Sequence, residues 1–212
     1  MTQYISLIQL KGGVGKSTIT ANLSGFFLGL GKTVLTVDAD IPQGTLSAWA
    51  ALTGENDSHH HITVKSVEEL ISVLEQAENE FDIVLIDAPP RMADVMKAIL
   101  YVSDLSLIPL DTTTPDIWAA SDMIDMIKDA AQERSLKIRL VFNKFKGTSR
   151  AEEIRKQAVE LLDLEQMNTT LSNYVAYADI MGLGTHVLNH NHKKAKIQFT
   201  AFGNEVLKAL EA

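Results

Sequence analysis

The sequence predicts an α/β protein with a single doubly wound, mostly parallel sheet flanked by helices. Three observations carry this reading. Short apolar and β-branched runs alternate with segments whose apolar residues recur at helical spacing, the pattern of successive βαβ units. A glycine-rich loop joins the first strand to the first helix. No internal repeat, low-complexity tract or Pro/Gly/Ser linker divides the 212 residues, so one domain is expected over 1–212.

The elements follow in order. Tyr4–Leu10 is an apolar-rich run of strand length, and Lys16–Leu30 reads as a helix closed by Gly31. Thr33–Val37 is short and β-branched, a second strand. The polar stretch Thr53–His61 reads as an exposed loop. Its His59-His60-His61 run lacks the Cys or spaced carboxylate that a metal site needs. Val67–Glu80 places Val67, Leu70, Ile71 and Leu74 at helical spacing. Phe81–Ile86, Asp104–Leu110 and Lys137–Phe142 read as buried strands. Asp116–Ala131, Arg150–Leu162 and Phe199–Leu210 read as helices. Crossovers between parallel strands are expected to be right-handed. Trp49 and Trp118 are expected as core or interface aromatics.

Composition narrows the chemistry. A chain 46% hydrophobic and 22% charged can bury an ordinary core. The absence of Cys excludes disulfides, thiolate metal sites, cysteine nucleophiles and Cys-ligated iron–sulfur clusters. No apolar run reaches the roughly 18 residues of a spanning helix. Met1-Thr2-Gln3-Tyr4 has neither the basic nor the apolar region of a secretory leader, so a cytoplasmic location is expected. The net charge of −8 argues by itself against nucleic acid, but its distribution is uneven. Residues 1–127 hold 6 basic and 17 acidic side chains, and residues 128–212 hold 13 and 10. No Asp or Glu occurs from Arg134 to Ala151, or from Ile180 to Asn204, the stretch that includes Lys193, Lys194 and Lys196. Two readings are open: solvated helix faces, or a surface for an anionic polymer.

The string Lys11-Gly12-Gly13-Val14-Gly15-Lys16-Ser17 lies between a strand and a helix, the context a phosphate-binding loop requires. Its glycines let backbone N–H groups approach a phosphate, and the helix N-terminus adds positive potential. Lys16 is expected on the β/γ-phosphates and the Ser17 hydroxyl on Mg²⁺. The usual G-x-x-x-x-G-K-[ST] pattern is broken at its first position, where Leu10 stands. A second lysine, Lys11, precedes the Gly pair instead. From that position a lysine in a face-to-face dimer could reach the partner's phosphates and act as an arginine finger does. The dinucleotide fingerprint fails, because Gly13-Val14-Gly15 is followed by Lys16-Ser17-Thr18 and the last glycine is missing. Asp38 and Asp40 close one strand, where α/β sites collect, and each could position a water or hold a metal-bound water, or simply cap a helix. Asp87 ends a buried apolar strand, and a Mg²⁺ shell would compensate its burial. Arg91, after the Pro pair, could touch phosphate or a partner.

Lys11 to Thr18 resembles the deviant Walker A motif of the ParA/MinD ATPases, in which the first lysine acts in trans. Val37-Asp38-Ala39-Asp40 with Pro42-Gln43-Gly44 resembles the Walker A′ segment D-x-D-P-Q-G, with Ile41 as an extra residue. Ile83-Val84-Leu85-Ile86-Asp87-Ala88-Pro89-Pro90 resembles the Walker B strand. Pro109, Asp116 to Ala120, Tyr177, Ala178 and Gly184 resemble later family segments, and Val141-Phe142-Asn143-Lys144 resembles the element that reads adenine. The resemblance implies a P-loop ATPase using ATP and Mg²⁺. It implies Gly12, Gly13, Val14, Gly15, Lys16, Ser17, Thr18 and Asn143 as nucleotide contacts, and Ser17, Asp38 and Asp87 around the metal. It assigns Lys11, Lys16 and Asp40 to catalysis, with Asp40 handling the water. It further implies an ATP-dependent homodimer, nonspecific nucleoid DNA held through Lys193, Lys194 and Lys196, and an activating partner of the ParB or compartment-adaptor type. Such a protein positions a partition complex or a protein compartment such as a carboxysome. The start at strand one and the end at Ala212 without a basic–aromatic tail fit the short form that needs no membrane. The alternatives are a MinD-like membrane regulator and a small metabolic enzyme of the dethiobiotin synthetase type.

Overall fold

The computed structural model describes residues 1–40, 43–54, 56–90 and 92–211. Ile41, Pro42 and Arg91, all singled out in the sequence, lie outside the described residues. The strands are β1 (Gln3–Leu7), β2 (Val34–Asp38), β3 (His59–Thr63), β4 (Ile83–Asp87), β5 (Leu105–Leu110) and β6 (Ile138–Phe142). The helices are α1 (Lys16–Gly29), α2 (Thr45–Thr53), α3 (Val67–Ala77), α4 (Ala93–Val102), α5 (Thr114–Ser121), α6 (Ile124–Glu133), α7 (Ser149–Leu162), α8 (Val175–Leu183) and α9 (Lys193–Glu211). The strands form one sheet in the order β3-β2-β4-β1-β5-β6, and every pair is parallel.

Both faces of the sheet are covered, which is why β2, β4 and β5 are buried at every residue and read as continuous apolar runs. On one face α1, α2, α8 and α9 pack Phe27, Trp49, Phe199 and Phe202 against Ile5, Leu7 and Leu85. On the other, α3 to α7 pack Leu70, Met96, Ile99, Met123 and Ala158 against Val84, Ile86 and Leu140. Every strand therefore ends at the same edge of the sheet. The loop after β1, Asp38, Asp87, the turn after β5 and Asn143 all meet there. In register, Asp87 lies beside Leu7 of β1 and beside Asp38 of β2.

Helices α2, α4 and α8 have no counterpart in the expectations drawn from sequence, and three other elements differ from them. The stretch read as an exposed loop ends in a strand: β3 pairs with β2 at the sheet edge, and His59 is buried against Trp49 with ring centroids 5.6 Å apart. An edge strand keeps one side in water, so its polar residues hide the strand signal. The helix expected over Asp116–Ala131 is two helices. Met123 N–H bonds the Ala120 carbonyl, a tighter i→i−3 turn, and the Met123 side chain drops fully into the core. The last helix begins at Lys193, not Phe199. His192 Nδ1 accepts the Ala195 N–H at 3.1 Å and so caps a turn with no acidic residue of its own. Trp49 belongs to the core, whereas Trp118 is 64% exposed.

Gly25 on α1 faces the His186 ring so closely that a Cβ would lie 2.0 Å from it. Gly25→Ala gains helix propensity of about 1 kcal/mol, yet the overpacking costs about 1–3 kcal/mol. The expected result is a lower urea midpoint; a raised one would contradict this packing.

Candidate functional site

The loop between β1 and α1 is shaped to hold an anion. Gly15 precedes the helix in a left-handed conformation, φ 99°, with no side-chain cap and no acidic residue in the first turn of α1. The first N–H groups of the helix therefore face the loop mouth without a carboxylate competing for them. Asn143, at the end of β6, approaches so closely that a Cβ on Gly15 would lie 2.2 Å from its Nδ2. Asn143 Nδ2 donates to the Val14 carbonyl at 2.8 Å, and Lys144 Nζ donates to the Gly13 carbonyl at 2.7 Å. The residue expected to read adenine thus also braces the loop.

Lys16 is buried, with Nζ donating to the Gln9 carbonyl at 3.2 Å. Burial pulls its pKa below the usual lysine range, and the charges of Asp87 and Asp40 pull it back. Asp87 is 1% exposed, and neither of its oxygens has a hydrogen-bond partner. Burial drives its pKa up to about 7, with the nearby charges of Asp38 and Asp40 adding to the rise; Ser17 and Lys16 act the other way. The Ser17 hydroxyl lies beside the carboxylate without reaching hydrogen-bond geometry. A bare buried carboxylate next to a hydroxyl suits a hard cation that takes only one or two protein oxygens. Among the described residues no cluster of three or more His, Asp or Glu could cage a metal alone. The fit is therefore to Mg²⁺ shared with phosphate.

Asp38 does not join this set. Its Oδ1 accepts the Asp40 N–H at 2.9 Å, and its Oδ2 accepts the Ser47 N–H at 2.9 Å and the Ser47 hydroxyl at 2.7 Å. Asp38, expected at the metal, here ties the chain after β2 to the start of α2 through its oxygens, while its charge also acts on the neighbouring Asp87. The clamp extends to the edge strand, since His61 Nε2 lies 3.1 Å from Ser47 Oγ. Asp40, 7% exposed, opens on the site itself, and burial raises its pKa against the pull of Lys16. It lines the same cavity as Lys16 and Ser17, and Ile41 beside it lies outside the described residues.

Lys11 reaches across the mouth to Asp116 at the start of α5, with Nζ 2.9 Å from Oδ1. Asp116 is buried and also accepts the Thr113 hydroxyl. Nothing in local spacing marks this ion pair, which joins residues 105 positions apart. A cavity of about 270 Å³ opens over Gly12, Lys16, Ser17, Thr18 and Asp40. Its far wall is Ser172, Asn173, Tyr174, Tyr177 and Ala178, a wall to which sequence reasoning assigned no role.

Residues 5–182 match the CobQ/CobB/MinD/ParA nucleotide binding domain. The chain belongs to this family. The maintenance of carboxysome distribution protein A of Halothiobacillus neapolitanus is 28% identical over 208 residues, spanning 96% of this chain and 95% of that protein. The chromosome-partitioning ATPase Soj of Thermus thermophilus is 24% identical over 165 residues, 65% of this chain and 66% of that one. Among solved structures, the Cyanothece McdA–ATP complex superposes with a TM-score of 0.79 at 16% identity, covering 97% of this chain and 96% of that one.

The lysines expected to meet DNA sit apart from the ParA/MinD-type site, on the first turns of α9. Lys193 and Lys194 are exposed, and Lys196 is half-buried, close enough to His186 to help depress that ring's pKa after burial has done most of it. The structure thus gathers Gly12 to Thr18, Asp40, Asp87 and Asn143 at one edge, turns Asp38 to bracing and Lys11 to Asp116, and leaves the α9 lysines outside.

The Asp87 shift has a sign that can be tested. Between about 4 and about 7 the folded chain holds a proton on Asp87 that the unfolded chain has lost. Ligand-free stability therefore falls as pH rises through that window, by on the order of 4 kcal/mol in the limit. Asp87→Asn should flatten this fall and raise ligand-free stability at pH 8 by about 1–3 kcal/mol, while abolishing Mg²⁺-dependent nucleotide turnover. Denaturant unfolding across pH measures the first effect and phosphate release the second. A variant less stable than the wild type at pH 8 would contradict the bare carboxylate.

Proposed function

We propose that this chain is an ATP- and Mg²⁺-dependent ATPase that dimerises with ATP, binds DNA without sequence preference and uses it to position a cargo. The observation that carries the ATPase reading is Asp87, a buried carboxylate with no partner, facing Lys16 and Ser17 at a phosphate loop. Lys16 and the first N–H groups of α1 bind the phosphates. Ser17 and Asp87 would hold the Mg²⁺, whose charge neutralises what develops on the transferred phosphoryl oxygens. Asp40, buried and raised in pKa, orients the attacking water and is suited to take its proton. The wall at Ser172 to Ala178 and Asn143 leaves room for the base.

On this reading Lys11 makes turnover wait for a second copy. In the single chain its ammonium is neutralised by Asp116, so it must leave that carboxylate to stabilise phosphates across a dimer. Lys11→Ala should keep nucleotide affinity within about threefold and lose ATP-dependent dimerisation, read by light scattering and turnover. Dimers forming normally in that variant would contradict the assignment.

Support for DNA comes from α9. Three lysines occupy its first turns, where the helix dipole disfavours cations by about 0.3–1 kcal/mol each. No acidic side chain sits in that turn, so the fold gains nothing from these charges that an anionic partner would not supply better. No base-reading element is evident, so binding should be salt-sensitive and sequence-independent. No helix among the described residues is long and apolar enough to cross a membrane. The likeness to a carboxysome distribution protein over nearly its full length favours a carboxysome-like compartment as cargo, reached through an adaptor in the cytoplasm over the nucleoid. A ParB-type partition complex is the other cargo class.

The test is the mobility of random-sequence DNA with ATP, with ADP and with no nucleotide. A shift with ATP alone is expected, weakened at least about tenfold when Lys193, Lys194 and Lys196 are all replaced by Ala. No shift at low salt would remove DNA from the reading.

A further inference from the structure

The wall of the nucleotide cavity and the lysine-bearing turns of α9 are one hydrogen-bonded unit. Ser172 and Tyr177 both line the cavity. The Ser172 N–H donates to Gln198 Oε1 at 2.9 Å, and Gln198 Nε2 donates back to Ser172 Oγ at 2.9 Å. The Tyr177 hydroxyl lies 3.2 Å from the same Gln198 Oε1 and 3.3 Å from the Ala195 carbonyl. Ala195 is fully buried and stands between Lys194 and Lys196. Its N–H is held by His192 Nδ1, and the His192 ring packs at a tilt of 40° against Tyr174, a third cavity residue, with centroids 4.6 Å apart. Ser172 is also bridged to Phe145, next to the Lys144 that bonds the phosphate loop at Gly13.

We propose that Gln198 is a positioning residue that transmits occupancy of the nucleotide cavity to the first turns of α9, and so sets the presentation of Lys193, Lys194 and Lys196. This rests on the reading above that those lysines meet DNA in the ATP state. Gln198 does not line the cavity; it acts through Ser172 and Tyr177. A nucleotide pressed against Ser172, Tyr174 and Tyr177 cannot shift that wall without moving the turn bonded to it. A mutually satisfied polar network holds such parts rigidly together, and a close-packed residue such as Ala195 cannot absorb the displacement. An apolar residue at 198 would fill the same space but leave the Ser172 N–H without its acceptor and the Tyr177 hydroxyl with the Ala195 carbonyl alone. The coupling is reciprocal: DNA on α9 tightens ATP by the factor with which ATP tightens DNA.

Gln198→Met keeps length and volume and removes the hydrogen bonds. In the wild type, DNA affinity with ATP should exceed that with ADP by about tenfold or more. In Gln198→Met that ratio should fall at least about fivefold, with ATP-driven dimerisation and DNA-free turnover within about twofold of wild type. An unchanged ratio would overturn the proposal and leave dimerisation alone as the source of nucleotide dependence. A wild type whose DNA affinity ignores nucleotide would instead defeat the DNA reading itself, and that is seen without the variant. A second measurement needs no change at 198. In Lys11→Ala, held monomeric, ATP should alter hydrogen exchange of the amides at 195–198. No change on saturation with ATP would sink the coupling.

Discussion

A buried carboxylate short of hydrogen-bond donors is the constraint around which the site is arranged. Asp87 ends the central strand β4, with β2 on one side and β1 on the other. Helices on both faces exclude solvent from it, and neither β1 nor β2 offers it a donor. Lys16, itself buried, supplies a positive charge that acts on it but spends a proton on the Gln9 carbonyl. Below about pH 7 the ligand-free chain resolves the conflict by holding a proton, whereas a divalent cation with phosphate would resolve it by neutralising the carboxylate. Local instability of this kind is common where a site is built for a charged ligand.

The neighbouring carboxylates show how strand position divides labour. Asp38, Asp40 and Asp87 lie at one edge, and their environments separate them. Asp38 accepts three hydrogen bonds from Asp40 and Ser47 and braces the chain after β2. Asp40 is open to the cavity, and Asp87 is closed and bare. Asp116 forms a fourth arrangement, pairing with Lys11 across the mouth of the site.

Much of this was legible in the chain. The phosphate loop is fixed by seven consecutive residues whose types have a direct chemical meaning, and fully buried strands announce themselves as apolar runs. What escaped did so for identifiable reasons. β3 is polar because it lies at an edge. The break between α5 and α6 depends on one i→i−3 bond and on a core that receives Met123. The roles of Asp38 and Asp87 cannot be separated by type, only by Ser47 turning towards one of them. The links Lys11–Asp116 and Ser172–Gln198 join segments whose proximity is a product of sheet order, not of sequence spacing.

The most direct test of the central claim is the proton count on binding. Calorimetric titration of ATP with Mg²⁺ into the chain at pH 6, in buffers of different ionisation enthalpy, should show release of about one proton, fading to none near pH 8. Omitting Mg²⁺ should remove most of the release. Binding with no proton exchange at pH 6 would mean that Asp87 is not the group the cation neutralises.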